Sequence, residues 1–554
     1  MKKHPFAEYQ GYFLKPDESN FGDLLRTLRF LHGEITSSYD LSCPQFHQVD
    51  MRPVDRFQDI PRKGRARREV LRTAVGAFQD LIRWQHPLVM HNINQTPLMD
   101  TVAYRVLINL YNPNCLWDYV SGQFLTYEQD VVSMMSDLIQ WDRRCADGVF
   151  TFGGKASLIY AIKVGINNAD KSVIDEGING SDYVVIASES CHYSIEYACN
   201  LVGVGAKNCI RIRVTEDDCL DVEDFERVFL KCIRDGKRIA CIILSGGNSI
   251  NNAIDPIKAV SRLVRSATKT EQLNYRPHIH VDSVIGWLWL MFRGYDFKDA
   301  TTTNSLHKVL RSIQNTHGKI SQIRLADSAG MDFHKNGFCP YSTSLFIIKD
   351  GRRLRSVNGS EKLSSAQVAG SNFLQHHTLE HSRSGDGILS AWIALQELGY
   401  EGFRDYVIQM MRTRQRLADS LERRAFRVLN PEAAGFCIAF LPILEEHAGT
   451  YANLSQATDT VVDEINSYCE EFFAFLQRDA ASLRPVIGFA ADHNTPLTRL
   501  RLNVLKLYPM SPFLTDDEIF SFLSLLTEFK KRFDALVTSP RQDKRQPQKR
   551  VYPK

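Results

Sequence analysis

The sequence predicts an α/β fold: a mostly parallel central sheet with helices on both faces, followed by a smaller C-terminal α+β domain. Three observations carry this. The chain has 554 residues, long enough for more than one core at roughly 100–200 residues per domain. From about residue 96 to 370, amphipathic stretches alternate with strand-length apolar runs at 183–187, 240–244, 278–281 and 344–348. That alternation is the pattern of a parallel sheet buried on both faces. After about residue 371 the pattern changes to long helices with a few strands, at 426–429, 435–441 and 500–504.

In chain order, residues 1–95 form an N-terminal helical segment. Its basic run Arg62, Lys63, Arg65, Arg67 and Arg68 leads into Val70, Leu71, Val75, Phe78, Leu81 and Ile82 at helical spacing, and the charges read as a solvated helix start. Too small to hold a large core alone, this segment is expected to clasp a partner subunit in a homodimer. Residues 96–370 form the large domain and 371–538 the small one. The last helix is announced by Thr515 with Glu518 three residues later, a capping box, and buries Ile519, Phe522, Leu523, Leu526 and Phe529 on one face. Residues 539–554, basic and poor in apolar side chains, are expected to be a disordered tail.

Composition narrows the function. Lys plus Arg is 67 against 64 for Asp plus Glu, a net charge of +3, which gives no reason to expect nucleic acid or an anionic membrane as a partner. The longest apolar runs, 284–292 and 435–444, fall short of the ~18–20 residues of a membrane span. The start MKKHPFAEYQGYF lacks the apolar core of an export signal. The 12 cysteines are scattered without a CxxC pair, as thiols of a reducing compartment are, so a cytoplasmic location and no metal site are expected.

Four elements carry chemistry. Gly148-Val-Phe-Thr151-Phe-Gly153-Gly154-Lys155-Ala-Ser157 runs into a helical pattern, and two glycines at a helix entry let a phosphate approach backbone N–H groups. The run 183–187 ends in SESCHYS, placing His192 beyond the carboxyl end of a strand, where open α/β sheets bind ligands. The strand at 278–281 delivers Asp282 to the same edge, a carboxylate that burial would penalise unless a cation faced it. Finally Asp332-Phe-His334-Lys335-Asn-Gly337-Phe-Cys-Pro340-Tyr341 precedes another apolar strand, a setting expected to lower the Lys335 pKa toward Schiff-base chemistry. Together these are a phosphate turn, a ring-stacking imidazole, a carboxylate for a pyridinium nitrogen and an amine for an aldehyde, the parts a pyridoxal phosphate site needs.

With GVFTFGGKASLIYAIK, SESCHYS, LSGGNSINNAIDPI, HIHVDSVIGW, MDFHKNGFCPYSTSLF and LEHSRSGDGILSAWIALQELGYEGF in this order, the chain resembles the group II pyridoxal-phosphate-dependent amino-acid decarboxylases of fold type I. The HKNGFCPY segment is most similar to the bacterial tyrosine- and aspartate-decarboxylase-like branch. The resemblance implies a fold-type I transferase-like architecture, pyridoxal 5'-phosphate as cofactor and an L-amino acid converted to an amine and carbon dioxide. It implies that Lys335 forms the Schiff base, Asp282 pairs with the ring nitrogen and His192 stacks on the ring. Gly153, Gly154, Lys155 and His334 then surround the phosphate, and Asn248 stands where the family has a threonine near the cofactor.

Departures from the family pattern bear on mechanism. Position 155 is Lys where a hydroxyl residue is usual, and Ser283-Val284 replaces a pair of small residues. The family's proton-donating tyrosine on a mobile loop has no counterpart, because residues 342–399 contain no tyrosine. Two alternatives to the simple decarboxylase follow: decarboxylation coupled to oxidative deamination or other carbon–carbon cleavage, and a non-catalytic cofactor-binding scaffold. His91, Asn94, Gln95 and Pro97 are expected near the substrate entrance.

Overall fold

In the computed structural model, the described residues are 10–45, 59–180, 182–297, 304–355, 357, 377–478, 483–495 and 500–538. The predicted tail at 539–554 lies outside them. The N-terminal segment contains helices α1 (Phe21–Ser38) and α2 (Arg67–Val75) and strand β1 (Val89–Met90). The Tyr39 hydroxyl donates to the Val75 carbonyl at 2.9 Å, tying the end of α1 to α2. Helices α3 (Met99–Tyr111) and α4 (Phe124–Ile139) then lead into the large sheet.

That sheet has seven strands: β2 (Asp147–Thr151), β3 (Tyr183–Ser188), β4 (Cys209–Ile212), β5 (Arg238–Ser245), β6 (His278–Asp282), β7 (Ser328–Asp332) and β8 (Ser344–Ile348), in the order β2-β8-β7-β6-β5-β3-β4. Only β8 is antiparallel to its neighbours, β2 and β7, so the other six strands point the same way. Their carboxyl ends therefore share one edge. The strands bury both faces, as their near-continuous apolar runs predict: Val184 and Ile186 pack in one cluster with Phe225 and Ile257, while Val185 and Ala187 pack in another with Leu158 and Ile195. The alternation follows the two-residue period of a strand. The covering helices are α5 (Gly154–Ala169), α6 (Ser194–Leu201), α7 (Val222–Arg234), α8 (Ile257–Thr270) and α9 (Asn304–Ile320). The short helix α10 (Phe333–Asn336) follows β7 directly.

Helix α11 (Asp386–Glu422), bent at Gly399 where φ is +54°, leads to the second sheet. Its strands are β9 (Phe426–Val428), β10 (Ile438–Pro442), β11 (Val486–Thr495) and β12 (Leu500–Leu507), flanked by α12 (Asp459–Arg478) and α13 (Asp516–Thr538). β1 completes it by pairing in parallel with β11, Val89 opposite Val486. The capping box forms as read: Thr515 N–H donates to Glu518 Oε2 at 2.7 Å, and Glu518 N–H to Thr515 Oγ1 at 3.4 Å. Among the described residues no helix is long and apolar enough to cross a membrane.

Candidate active site

All four motif ends reach the carboxyl edge of the large sheet: β2 ends at Thr151, β3 at Ser188, β6 at Asp282 and β7 at Asp332. There a cavity of about 1010 Å³ is lined by Gly154, Lys155, His192, Asn248, Asp282, His334 and Lys335, among others. These residues lie far apart in sequence, and the shared strand direction is what gathers them.

The helix entry is built for a close approach. Gly153 has φ of +147°, a conformation that side chains avoid. A Cβ at Gly154 would sit 2.9 Å from Asp332 Oδ2, so only glycine lets the turn lie against that carboxylate. Both residues open α5, a helix of 16 residues, whose first N–H groups form an anion cradle. Lys155 extends over the Tyr197 ring, with Nζ 5.3 Å from its centroid.

His192 is held by its loop. Its Nδ1 accepts from Ser194 N–H at 3.1 Å, which puts the ring proton of the neutral imidazole on Nε2. Arg211 braces the loop backbone, donating to the carbonyls of Ser188 at 2.7 Å, Cys191 at 3.2 Å and His192 at 3.2 Å. Glu196 grips the same guanidinium at 2.8 and 2.6 Å. Burial first, then the cations Lys335 and Arg211, push the His192 pKa down to about 4, so the ring is neutral at physiological pH.

Asp282 is 9% exposed, and its Oδ1 has no hydrogen-bond partner. Burial raises its pKa to about 6, against the pull of the Lys335 charge. Lys335 departs from expectation. Burial alone lowers the pKa of an amine, but the Asp332 carboxylate, 2.9 Å from Nζ, and the Asp282 charge outweigh it and raise the value. The carboxylates beside the lysine reverse the lowering expected from its setting, and its amine rests as an ammonium ion. His334, 5% exposed, has Nδ1 3.0 Å from the Thr343 carbonyl and Nε2 3.5 Å from Asp332 Oδ2.

Asn248 reaches the cavity wall with its amide already engaged. Nδ2 donates to Ser190 Oγ at 2.6 Å and to Asp218 Oδ2 at 2.5 Å, while Oδ1 accepts from the N–H groups of Asn251 and Ala253 at 2.9 and 3.2 Å. The expected entrance residues are corrected: Asn92 and Ile93 line the cavity, but His91, Asn94, Gln95 and Pro97 do not. Gln95 is 2% exposed and accepts from Phe338 N–H at 3.0 Å, so it braces the segment after Lys335.

Sequence reading missed Asp332, Asp218, His493 and Lys506, all on the cavity wall. Asp332 lay in a quoted motif, and its spacing of three from Lys335 at a helix start was a usable signal. His493 and Lys506 come from the β11–β12 hairpin, where nothing local marks them. Lys506 is partly buried, and among the described residues no carboxylate pairs with it.

These residues fit a pyridoxal phosphate: an anion cradle, a primary amine and a buried carboxylate oxygen with nothing opposite it. Comparison with known proteins agrees. Residues 78–440 match the pyridoxal-dependent decarboxylase conserved domain. An L-2,4-diaminobutyrate decarboxylase from Acinetobacter baumannii is 22% identical over 484 residues, 82% of this chain and 82% of that protein. The acidic amino acid decarboxylase GADL1 of Bos taurus is 22% identical over 376 residues, 66% of each chain. The crystal structure of mouse CSAD in apo form superposes with a TM-score of 0.74 at 16% identity, covering 92% of this chain and 99% of that one.

Proposed function

The chain belongs to the pyridoxal-dependent decarboxylase family, and from that premise we propose how its own residues remove the carboxyl group of an L-amino acid as carbon dioxide, leaving an amine. Pyridoxal 5'-phosphate, when bound, supplies the electron sink for breaking the bond to the carboxylate. Lys335 would hold this cofactor through its amine. The first turn of α5 at Gly153 and Gly154 holds the phosphate, with Lys155 and His334 beside it. Asp282 would keep a proton on the ring nitrogen, and His192, neutral with its ring proton on Nε2, would stack on the ring. Asn248 shapes the adjoining loop through Ser190 and Asp218.

The observation that carries this reading is the meeting of three features in one cavity: the unpartnered Asp282 oxygen, the Lys335 amine and the glycine turn. Lys506, a cation on the same wall with no carboxylate partner among the described residues, is read as the group that receives a substrate carboxylate. The HKNGFCPY segment supports the bacterial tyrosine- and aspartate-decarboxylase-like branch. The curated relatives described above act, by their names, on diaminobutyrate and on acidic amino acids.

We further read the protein as a cytoplasmic homodimer. The exposed side chains of Met99, Tyr104 and Tyr111 on α3, with Tyr119 beyond it, support a covered face. Scattered thiols suit a reducing compartment. A monodisperse, fully active monomer in sedimentation would remove the dimer.

The deciding experiment is a panel of L-amino acids scored together for carbon dioxide, amine, aldehyde and peroxide. Carbon dioxide and amine in equal amounts are expected. The absence of a tyrosine from residues 342–399 favours, as second reading, oxidative deamination coupled to decarboxylation, which aldehyde and peroxide would reveal. Lys335→Ala should lose both the visible cofactor band and turnover; retained turnover would overturn the assignment of the lysine.

A further inference from the structure

Residues 342–399 carry no tyrosine to serve as the acid that protonates the substrate carbon. A phenol stands on the cavity wall immediately before that stretch. Tyr341 lines the cavity with Lys335, Asp332 and Gly154. It is 55% exposed, and its ring packs on His334 with centroids 4.3 Å apart. The charges of Lys335 and Asp332 both act on its hydroxyl, which places that group within short electrostatic range of the reactive amine.

The backbone of this tyrosine is pinned. Arg105, on α3, donates from Nη1 to the Tyr341 carbonyl at 2.5 Å, and from Nη2 to the Pro340 carbonyl at 3.0 Å and Thr343 Oγ1 at 2.6 Å. Its Nε donates to Ser390 Oγ at 3.1 Å, so one planar guanidinium fixes the turn from two sides. The hydroxyl is uncommitted: among the described residues no hydrogen bond engages it. Burial pushes its pKa up, so the phenol carries its proton at neutral pH. The other tyrosines on the wall are placed differently. Tyr508 donates its hydroxyl to the Ser249 carbonyl at 2.9 Å, and Tyr193 is stacked on His192 at 4.3 Å.

We propose that Tyr341 is the acid that delivers a proton to the substrate carbon vacated by carbon dioxide, an inference that rests on the decarboxylase reading above. The bond from that carbon to the carboxylate breaks and its electron pair stays on the substrate side. The Oη–H bond of Tyr341 breaks, its proton forms the new carbon–hydrogen bond, and the phenolate regains a proton from water.

Tyr341→Phe keeps the ring against His334 and removes only the hydroxyl. The probe is whichever of L-aspartate, L-glutamate, L-2,4-diaminobutyrate and L-tyrosine the parent turns over fastest, labelled in its carboxyl group. Titration of the apoprotein with pyridoxal 5'-phosphate, followed by visible absorbance, should give the same affinity as the parent. Single-turnover release of labelled carbon dioxide should stay within about threefold, while amine formation falls by about a hundredfold or more, the scale of a general acid. In air the stalled carbon passes its electrons to dioxygen: one dioxygen and one water are consumed for each aldehyde, ammonia and hydrogen peroxide formed along with carbon dioxide. Amine formed one-to-one with carbon dioxide at the parental rate overturns the proposal. So does an equal fall of carbon dioxide and amine, which would put Tyr341 before bond cleavage. If the parent itself releases no carbon dioxide from any of the four, the decarboxylase reading fails instead.

Discussion

Asp332 Oδ2 lies 2.9 Å from Lys335 Nζ, and the aspartate side chain is 1% exposed while the lysine keeps 25% of its surface. Asp332 stands at the N-cap position of the short helix that carries Lys335, and its other oxygen accepts from Ser344 Oγ at 2.6 Å. The carboxylate is thereby locked in place, and the amine is held in the ammonium form against its burial. A protonated amine cannot attack an aldehyde, so capture of the cofactor requires that proton to leave.

Asp332→Asn should therefore move the pH dependence of cofactor capture toward acid. With that charge gone, the Asp282 charge alone of the two carboxylates still opposes burial, so the Lys335 pKa falls, and the free amine is present at lower pH. The check is the rate at which apoprotein and pyridoxal 5'-phosphate develop the visible band across pH 7–11, a range of about four units that brackets the ordinary amine pKa. An unshifted profile would show that Asp332 does not govern the amine.

A second prediction concerns the pair that anchors the strand leading into the glycine turn. Arg383 and Glu128 are 8% and 0% exposed and meet through two parallel hydrogen bonds of 2.7 and 2.9 Å. Glu128 Oε1 also accepts from Phe150 N–H at 2.8 Å, and Arg383 donates to the carbonyls of Phe150 at 3.2 Å and Cys115 at 3.1 Å. β2 is thus fixed just before Gly153. Arg383→Met leaves a buried carboxylate unpaired and should cost about 3–5 kcal/mol in urea unfolding. Adding Glu128→Leu should recover part of that loss; no recovery would mean that the backbone contacts, not the charge, carry the effect.

A third prediction is acid sensitivity from beneath the sheet. His278 Nε2 and His280 Nδ1 lie 2.7 and 2.8 Å from the same Ser328 hydroxyl, and both rings are fully buried. Burial drives their pKa values down to about 4 and about 3. In the unfolded chain both protonate near pH ~6.5, so below that pH the unfolded state binds more protons and stability falls as pH falls. Each histidine contributes a slope of up to about 1.4 kcal/mol per pH unit, ending near its folded value. The urea midpoint measured from pH 7 to 4 (about three units) should drop steadily in the parent and less steeply in His280→Gln. Equal slopes would show that His280 is not a source of the sensitivity.

What could be read from the sequence divides along a physical line. His192 and Asp282 each follow an apolar run read as a strand, at 183–187 and 278–281, so the strand that delivers each is visible next to it, whereas β2 and β7, which deliver Gly153 and Lys335, are not among the runs the sequence marks. Their convergence also follows from sequence, because parallel strands put all carboxyl ends on one edge. β11 escaped notice because its second half, Ala490 to Asn494, is polar and bulged between Ala490 and His493. The hairpin therefore shows no clean alternation, and with it His493 and Lys506 were invisible. The sign of the Lys335 shift was misjudged for a related reason. It depends on Asp332 pointing inward at 2.9 Å, a side-chain direction that composition does not convey.

The last prediction separates the electron-sink role of Asp282 from simple shape. Its Oδ1 is buried without a hydrogen-bond partner and its pKa is raised to about 6, so in the protein alone the charge is poorly tolerated. A positive ring nitrogen opposite it would reverse that, since an opposite charge at contact distance favours the ionised form. Asp282→Asn preserves size and removes the charge. By the rule that about 1.4 kcal/mol of lost transition-state stabilisation is tenfold in rate, loss of a close charge pair of a few kcal/mol should slow turnover by roughly two to three orders of magnitude. Cofactor affinity should fall far less, because the glycine turn and the Lys335 amine remain. The measurement is the ratio of the two effects, turnover on the best amino acid against cofactor titration of the apo variant. Loss of affinity and turnover in equal measure would make Asp282 a binding residue only, and turnover within about threefold of the parent, less than 1 kcal/mol, would make it structural.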